Sequence, residues 1–261
     1  MSGSKFASEL CNEADEASQF VGTSGLAAVP CTAWLSAGRF LLAALATVVV
    51  YRAATQSIVY DEAFTYLAFA SGSFREVFTS YTANNHVLFS ALARLSVGLF
   101  GVSELALRLP TVVAAIVYFS ALFALCRLMF GAGRLFFVTL ATLSLNPFIL
   151  DHLSAARGYG MALALFTVAL QQLTQSVVGD RSAFDRRWLT ASIALALSVS
   201  ANLTFLFPAL ALACVTVSMD AVRRQRDGSD LQHRRTVLHF LRRIVQRPGV
   251  PGLPQTPRRS P

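Results

Sequence analysis

Six apolar runs fill most of the chain between residues 39 and 219, and their length decides what it can fold into. They cover 39–59, 109–126, 135–150, 159–178, 188–201 and 203–219. A helix needs about 20 residues to cross a hydrocarbon core about 30 Å thick. Only a helix or a closed barrel satisfies its own backbone there. The chain is 54% hydrophobic and 14% charged, whereas soluble domains carry about 25% charged residues. The reading is an all-α, polytopic transmembrane bundle of about six spans. The two short final runs share Asn202, which marks either a turn between two spans or the break in one long helix. Asn202-Leu203-Thr204 matches a glycosylation sequon by chance so close to a membrane.

Three regions follow. Residues 1–38 are polar and mildly acidic, without a core pattern, and read as disordered with no cleavable signal peptide. Residues 39–219 form the membrane module. Residues 220–261 hold ten arginines against Asp220, Asp227 and Asp230, a balance of +7 within a chain total of +8. A basic tail after an apolar run reads as a cytoplasmic stop signal beside anionic lipid. No nucleic-acid-binding fold accompanies the charge, so no nucleic-acid partner is expected. Pro248, Pro251, Pro254 and Pro257 favour an extended tail. The four cysteines form no metal or disulfide pattern.

Residues 60–108 are mixed in character. Residues 61–71 suit a short helix with Phe64, Leu67 and Ala68 on one face. Residues 86–100 are apolar but too short for a comfortable crossing, and they contain Arg94. They suit a helix lying in the interface with Arg94 reaching headgroups. With that segment flat, Arg127, Arg134, Arg181, Arg186, Arg187 and the tail share one side, the cytoplasm by the positive-inside rule. Asp61, Glu62, Glu76, Glu104 and Asp151 then share the outer side. If it crossed, the Asp61 and Asp151 loops would face opposite ways.

Three polar groups therefore converge outside: Tyr60-Asp61-Glu62, Asn84-Asn85-His86, and Asp151-His152 with Arg157-Gly158-Tyr159. A carboxylate base, an imidazole and a guanidinium are the parts that move a group from a phosphate to a hydroxyl. Each also has a plain structural reading. Glu104 and Arg108 are spaced to pair on a helix. Asp151 can pair with Arg157, His86 can cap, and Asp61 and Glu62 can serve a helix dipole. A transporter would bury ionisable groups at mid-span, and these spans are nearly free of acids.

The acidic pair after the first run is followed by Asn84-Asn85-His86-Val87-Leu88-Phe89. Then come Phe100-Gly101-Val102-Ser103-Glu104-Leu105-Ala106-Leu107-Arg108-Leu109-Pro110, Asn146-Pro147-Phe148 and Arg157-Gly158-Tyr159. Over residues 38–220 this resembles the membrane-embedded GT-C glycosyltransferases of the protein O-mannosyltransferase and aminoarabinose-transferase type, including lipopolysaccharide-core galacturonosyltransferase-like members. The resemblance implies two interfacial helices in the first outer loop, a polyprenyl-phosphate sugar donor and inversion at the sugar carbon. It implies a protein or glycolipid acceptor on the outer face of a bacterial inner membrane. Asp61 and Glu62 would be catalytic, Glu62 orienting the base or holding a divalent cation, although the spacing specifies no metal or other cofactor. Asn85, His86, Asp151, Arg157 and Tyr159 would bind substrate and phosphate. Ala155 stands where relatives carry an acid two positions before the arginine, and Asp151 lies one turn earlier. Relatives also continue through further spans where this chain has its basic tail, the pattern of a truncated member. The alternative is a non-catalytic GT-C-like protein, an assembly partner or an inactive fragment.

Overall fold

A computed structural model of the chain describes residues 31–79, 85–178, 184–219 and 221. The polar N-terminus to residue 30, Asn84, Arg181 and the tail from residue 222 lie outside the described residues. All regular structure among the described residues is helical. Contacts divide the chain after Leu212. In the second unit, residues 213–219 and 221 are described, and they are helical.

The helices are α1 (Cys31–Thr55), α2 (Tyr60–Thr65), α3 (Phe74–Thr79), α4 (Val87–Phe100), α5 (Glu104–Phe130), α6 (Arg134–Ser144), α7 (Pro147–Ser154), α8 (Gly158–Val178) and α9 (Phe184–Ala201). A 3-10 turn, Leu203–Phe205, opens a further apolar helix, Leu203–Met219. Two helices, α1 and α5, are long and apolar enough to cross a membrane, and α6 with α7 makes a third when taken as one span bent by 57°. The bend has a local cause. Pro147 cannot continue the helix, and Asn146 restarts it by accepting a bond from the Phe148 N–H at 3.0 Å.

α1 begins at Cys31, eight residues before the expected start of the module. The extra turns are held by packing, since Trp34 meets Phe137 at 5.7 Å between ring centroids and Leu35 joins the main core. α1 runs alongside α6 and α7 in the same direction. Its start lies on Phe136 and Leu140 through Gly38, and its end reaches Asp151 through Arg52. It runs opposite to α5, where Arg39 lies over the Phe123 ring near one end and Arg108 meets the Ala53 carbonyl near the other. α8 starts beside the start of α5, with Gly160 against Thr111. α9 returns antiparallel to α8, with Arg187 bonded to the Gln175 carbonyl and Ser198 to that of Ala162. Alanines dominate the α8–α9 seam, allowing close backbone approach.

One end of the bundle therefore gathers the C-termini of α1 and α9, the N-terminus of α5 and the α7–α8 junction. Helix α4 crosses this end instead of running along the bundle. His86, just before it, meets Tyr159, and Ser96 near its far end bonds the Ala106 carbonyl at 2.6 Å. That carbonyl is free because Pro110, four residues on, has no N–H to give it. The preceding turn is equally determined. Gly101 has φ of +82°, and Ser103 caps α5 by accepting from the Ala106 N–H. Arg94 does not reach outward as expected. Its guanidinium bonds the Ala70 carbonyl at 3.2 Å and lies 4.9 Å from the Phe74 ring centroid, because a carbonyl and an aromatic face lie within its reach.

Residues 60–70 are helical as expected, but α2 widens into a π-helical segment, Tyr66–Ala70. The inward face is Glu62, Thr65, Phe69 and Ala70, already set by Glu62 before the widening begins, and Leu67 is exposed where an apolar face of Phe64, Leu67 and Ala68 was expected. Asn202 is buried, and its side-chain oxygen accepts from the Thr204 N–H and hydroxyl. The sequon is thus closed to modification.

An added Cβ at Gly38 would stand 3.0 Å from both Leu140 and Phe136, whereas one at Gly98 meets nothing within 4 Å. Gly38→Leu should therefore cost about 1–3 kcal/mol of stability and Gly98→Leu almost none. Thermal unfolding in lipid nanodiscs checks the pair.

Candidate functional site

The two acids at residues 61 and 62 meet two successive positions of the α7–α8 turn. That turn is tight, with the Arg157 N–H bonded to the Ala155 carbonyl at 2.8 Å. It aims the Ala156 N–H at Glu62 and the Arg157 side chain at Asp61.

Glu62 is fully buried. Its Oε1 accepts from Arg108 Nε at 2.9 Å and from the Ala156 N–H at 2.5 Å. Its Oε2 accepts from Arg108 Nη2 at 2.6 Å and from the Val59 N–H at 3.0 Å. A carboxylate has about four acceptor positions, and all are taken by protein donors. Arg108 is just as full. Nη1 donates to the Ala53 and Gln56 carbonyls at 3.0 and 2.6 Å, and Nη2 also donates to Ser57 at 3.1 Å. With the two bonds to Glu62, all five N–H groups are used. The cation sits against the last carbonyls of α1, where a helix favours positive charge.

Burial pushes the Glu62 carboxyl up. The bonds from Arg108, Ala156 and Val59 outweigh it and hold the group below its ordinary value. Glu62 therefore has no lone pair left to orient a base or to hold a divalent cation, the role expected for it. Its place is to position the loop. The expected Glu104–Arg108 partnership gives way to Glu62–Arg108, because Arg108 points into the bundle end and Glu104 lies exposed at the start of α5.

Asp61 is in a different situation. It forms an ion pair with Arg157 at 2.5 Å, and the two side chains are 49% and 31% exposed. Asp151 does not meet Arg157 as expected. It pairs with Arg52 at the end of α1 at 2.6 Å and is well exposed, as the parallel run of α1 and α7 dictates. Such open pairs contribute about 0–1 kcal/mol.

Tyr159 is flanked by two imidazoles. His86 approaches edge-on with centroids 5.3 Å apart, and His152 stacks at 5.1 Å and 28°. His86 makes no side-chain cap bond to α4. Burial, and then the Arg157 charge, push its pKa below the ordinary imidazole value. The close start of α8 depends on glycine. A Cβ at Gly158 would overlap the Ala201 carbonyl and the His86 ring, and one at Gly160 would overlap the His152 carbonyl. Asn85 lies to one side, donating to the Val77 carbonyl at 2.7 Å and so tying α3 to the start of α4.

A cleft of about 330 Å³ opens between these elements, lined in part by Ser57, Glu62, Arg108, Asp151, His152 and Arg157. The structure brings together Asp61, Glu62, His86, Arg157 and Tyr159. Asp151 lines the cleft while paired with Arg52, and Asn85 serves the α3–α4 join. The sequence pointed to His152 only as part of the third polar group and not to its stacking on Tyr159, it gave no sign of Arg52, and it offered Arg108 the wrong partner. The signal for Arg108 was present as a lone arginine in an apolar stretch, which demands a buried partner. Compared with known proteins, the chain matches no family model, no curated protein and no solved structure.

Removing one partner of a buried, hydrogen-bonded pair strands the other charge. Arg108→Ala or Glu62→Gln should therefore cost about 3–5 kcal/mol, and Arg108→Lys should not restore it, since an ammonium cannot fill the fork. Because Glu62 is lowered on folding, its stabilisation is complete above its ordinary value of 4.5 and is lost as pH falls through the folded value. The wild type should lose stability in that acid range, and Glu62→Gln should show a flatter profile there, read by thermal unfolding across pH.

Proposed function

We propose that the chain is an integral-membrane glycosyltransferase of the GT-C kind. It moves a sugar from a polyprenyl-phosphate donor to a hydroxyl on a protein or glycolipid, on the outer face of a bacterial inner membrane. The observation that carries the reading is the Asp61–Arg157 pair, set beside Tyr159 and His86 at the bundle end that α4 crosses. A releasable carboxylate next to an open guanidinium is the minimum needed for phosphate-leaving-group transfer.

In this reading α1, α5, the broken α6–α7, α8, α9 and the Leu203–Met219 helix are the six spans. Support comes from the 21 residues of α8, which include no charged residue. Helices α3 and α4 lie in the outer interface. Phe74, Phe78, Leu92, Leu95, Leu99 and Phe100 are all exposed on them. An apolar surface of that kind fits acyl chains better than water. Arg127, Arg134, Arg186 and Arg187 lie at the opposite end, which is then cytoplasmic.

Asp61 takes the proton of the acceptor hydroxyl. The oxygen attacks the anomeric carbon from the face opposite the phosphate, the carbon–oxygen bond to phosphate breaks, and configuration inverts. Arg157 neutralises the departing phosphate and Tyr159 forms the adjoining wall. Glu62, assigned to catalysis on sequence, holds Asp61 in place instead.

Membranes holding the full chain should transfer labelled sugar from one of a panel of polyprenyl-phosphate donors. Asp61→Asn should reduce transfer at least about 100-fold, the lower range for loss of a general base, with insertion unchanged. Full activity in that variant would remove the assignment. Silence of the inserted wild type with every donor would favour a non-catalytic partner or fragment.

A further inference from the structure

Neighbouring carboxylates in this chain are held by arginines in two unlike ways. Glu62 and Arg108 are buried, and every donor and acceptor between them is filled. Asp61 and Arg157 are part-exposed, and Arg157 Nε is buried with no partner among the described residues. Arg157 therefore keeps hydrogen-bonding capacity that Arg108 has used up, and it lines the cleft. The backbone does not need the open pair. Glu62 alone bonds the Ala156 N–H, so the turn stays anchored if Asp61 lets go.

We infer that Asp61 is the resident counter-anion of a phosphate site, and that a phosphate ester entering the cleft takes Arg157 and displaces it. The inference rests on the proposed roles of Asp61 and Arg157 and adds a sequence of events to them. A phosphate offers two or three oxygens to the guanidinium fork and more charge than a carboxylate, while an exposed ion pair is weakly held. No covalent bond changes in the exchange, in which one anion replaces another on Arg157. The carboxylate so released turns to the acceptor hydroxyl and takes its proton in the later transfer step. Donor binding thereby arms the base, and an acceptor arriving first meets a carboxylate already engaged. Glu62, saturated and buried, holds the first turn of α2 still while the neighbouring side chain swings.

The exchange makes an uncommon demand, that removing the catalytic carboxylate should tighten ligand binding. Affinity of the purified full chain in nanodiscs is measured for farnesyl monophosphate and for inorganic phosphate. Asp61→Asn should bind about two- to fivefold tighter than wild type, the equivalent of a weak surface pair. Asp61→Ser, which also lacks the charge, should do the same and guards against a folding defect peculiar to asparagine. In an Arg157→Gln background the gain should vanish. Tightening of farnesyl phosphate alone marks a lipid-borne headgroup and tightening of both probes marks phosphate itself; either supports the exchange. Unchanged or weaker binding in both Asp61 variants overturns it. So does an equal gain without Arg157, which would be long-range charge, or no binding by any form. Tightening without sugar transfer would leave the exchange standing and remove the transferase reading. Transfer without tightening would remove the exchange alone.

Discussion

The Glu62–Arg108 pair is the contact on which the functional end of the bundle depends. It joins three parts of the chain that are far apart in sequence. Arg108 closes off the carbonyls at the end of α1, grips the first turn of α2 through Glu62, and through the same carboxylate reaches the Ala156 N–H. Burying two charges is costly, and geometry must compensate with bonds to every remaining donor and acceptor. Here it does, and the consequence is orientational. With Glu62 fixed, Asp61 faces the next residue of the same turn, Arg157.

The contrast between the two acids follows from one residue of offset. In the first turn of a helix, successive side chains point about 100° apart. One carboxylate therefore enters the bundle and the other stays at its rim. The inner one loses its freedom and supplies stability, while the outer one stays half-exposed and paired to Arg157, a residue that lines the cleft. Adjacent acids can divide structure and chemistry between them in this way without any further residue.

Much of the helical layout was legible in the sequence, because apolar runs have one stable outcome in a chain so poor in charge. The start of α8 and the end of α9 follow from such runs. A short apolar helix was legible over residues 86–100 too, and it forms as Val87–Phe100. The string from Phe100 to Pro110 was read as a mark of kinship. In the structure its residues have mechanical reasons: Gly101 turns, Ser103 caps, Arg108 pairs and Pro110 frees a carbonyl for Ser96. Partner choice was not legible. Glu104 is four residues from Arg108 and Glu62 is forty-six away, and only the approach of α1, α2 and α5 at one end decides between them. Asp151 was offered to Arg157 for the same reason of nearness in sequence, and the direction of α1 gave it to Arg52. The start of α1 was missed because Trp34 and Leu35 stand among small residues and acquire partners only when α6 folds back beside them.

A double-mutant cycle on Glu62 and Arg108 tests the central claim most directly. Unfolding free energies are measured in nanodiscs for Glu62→Gln, Arg108→Gln and the double variant. A bundle end organised around the pair should show a coupling of about 2–3 kcal/mol, the double variant losing that much less than the sum of the two single losses. Additive losses would mean that the two side chains do not depend on each other, and would contradict a bundle end organised around them.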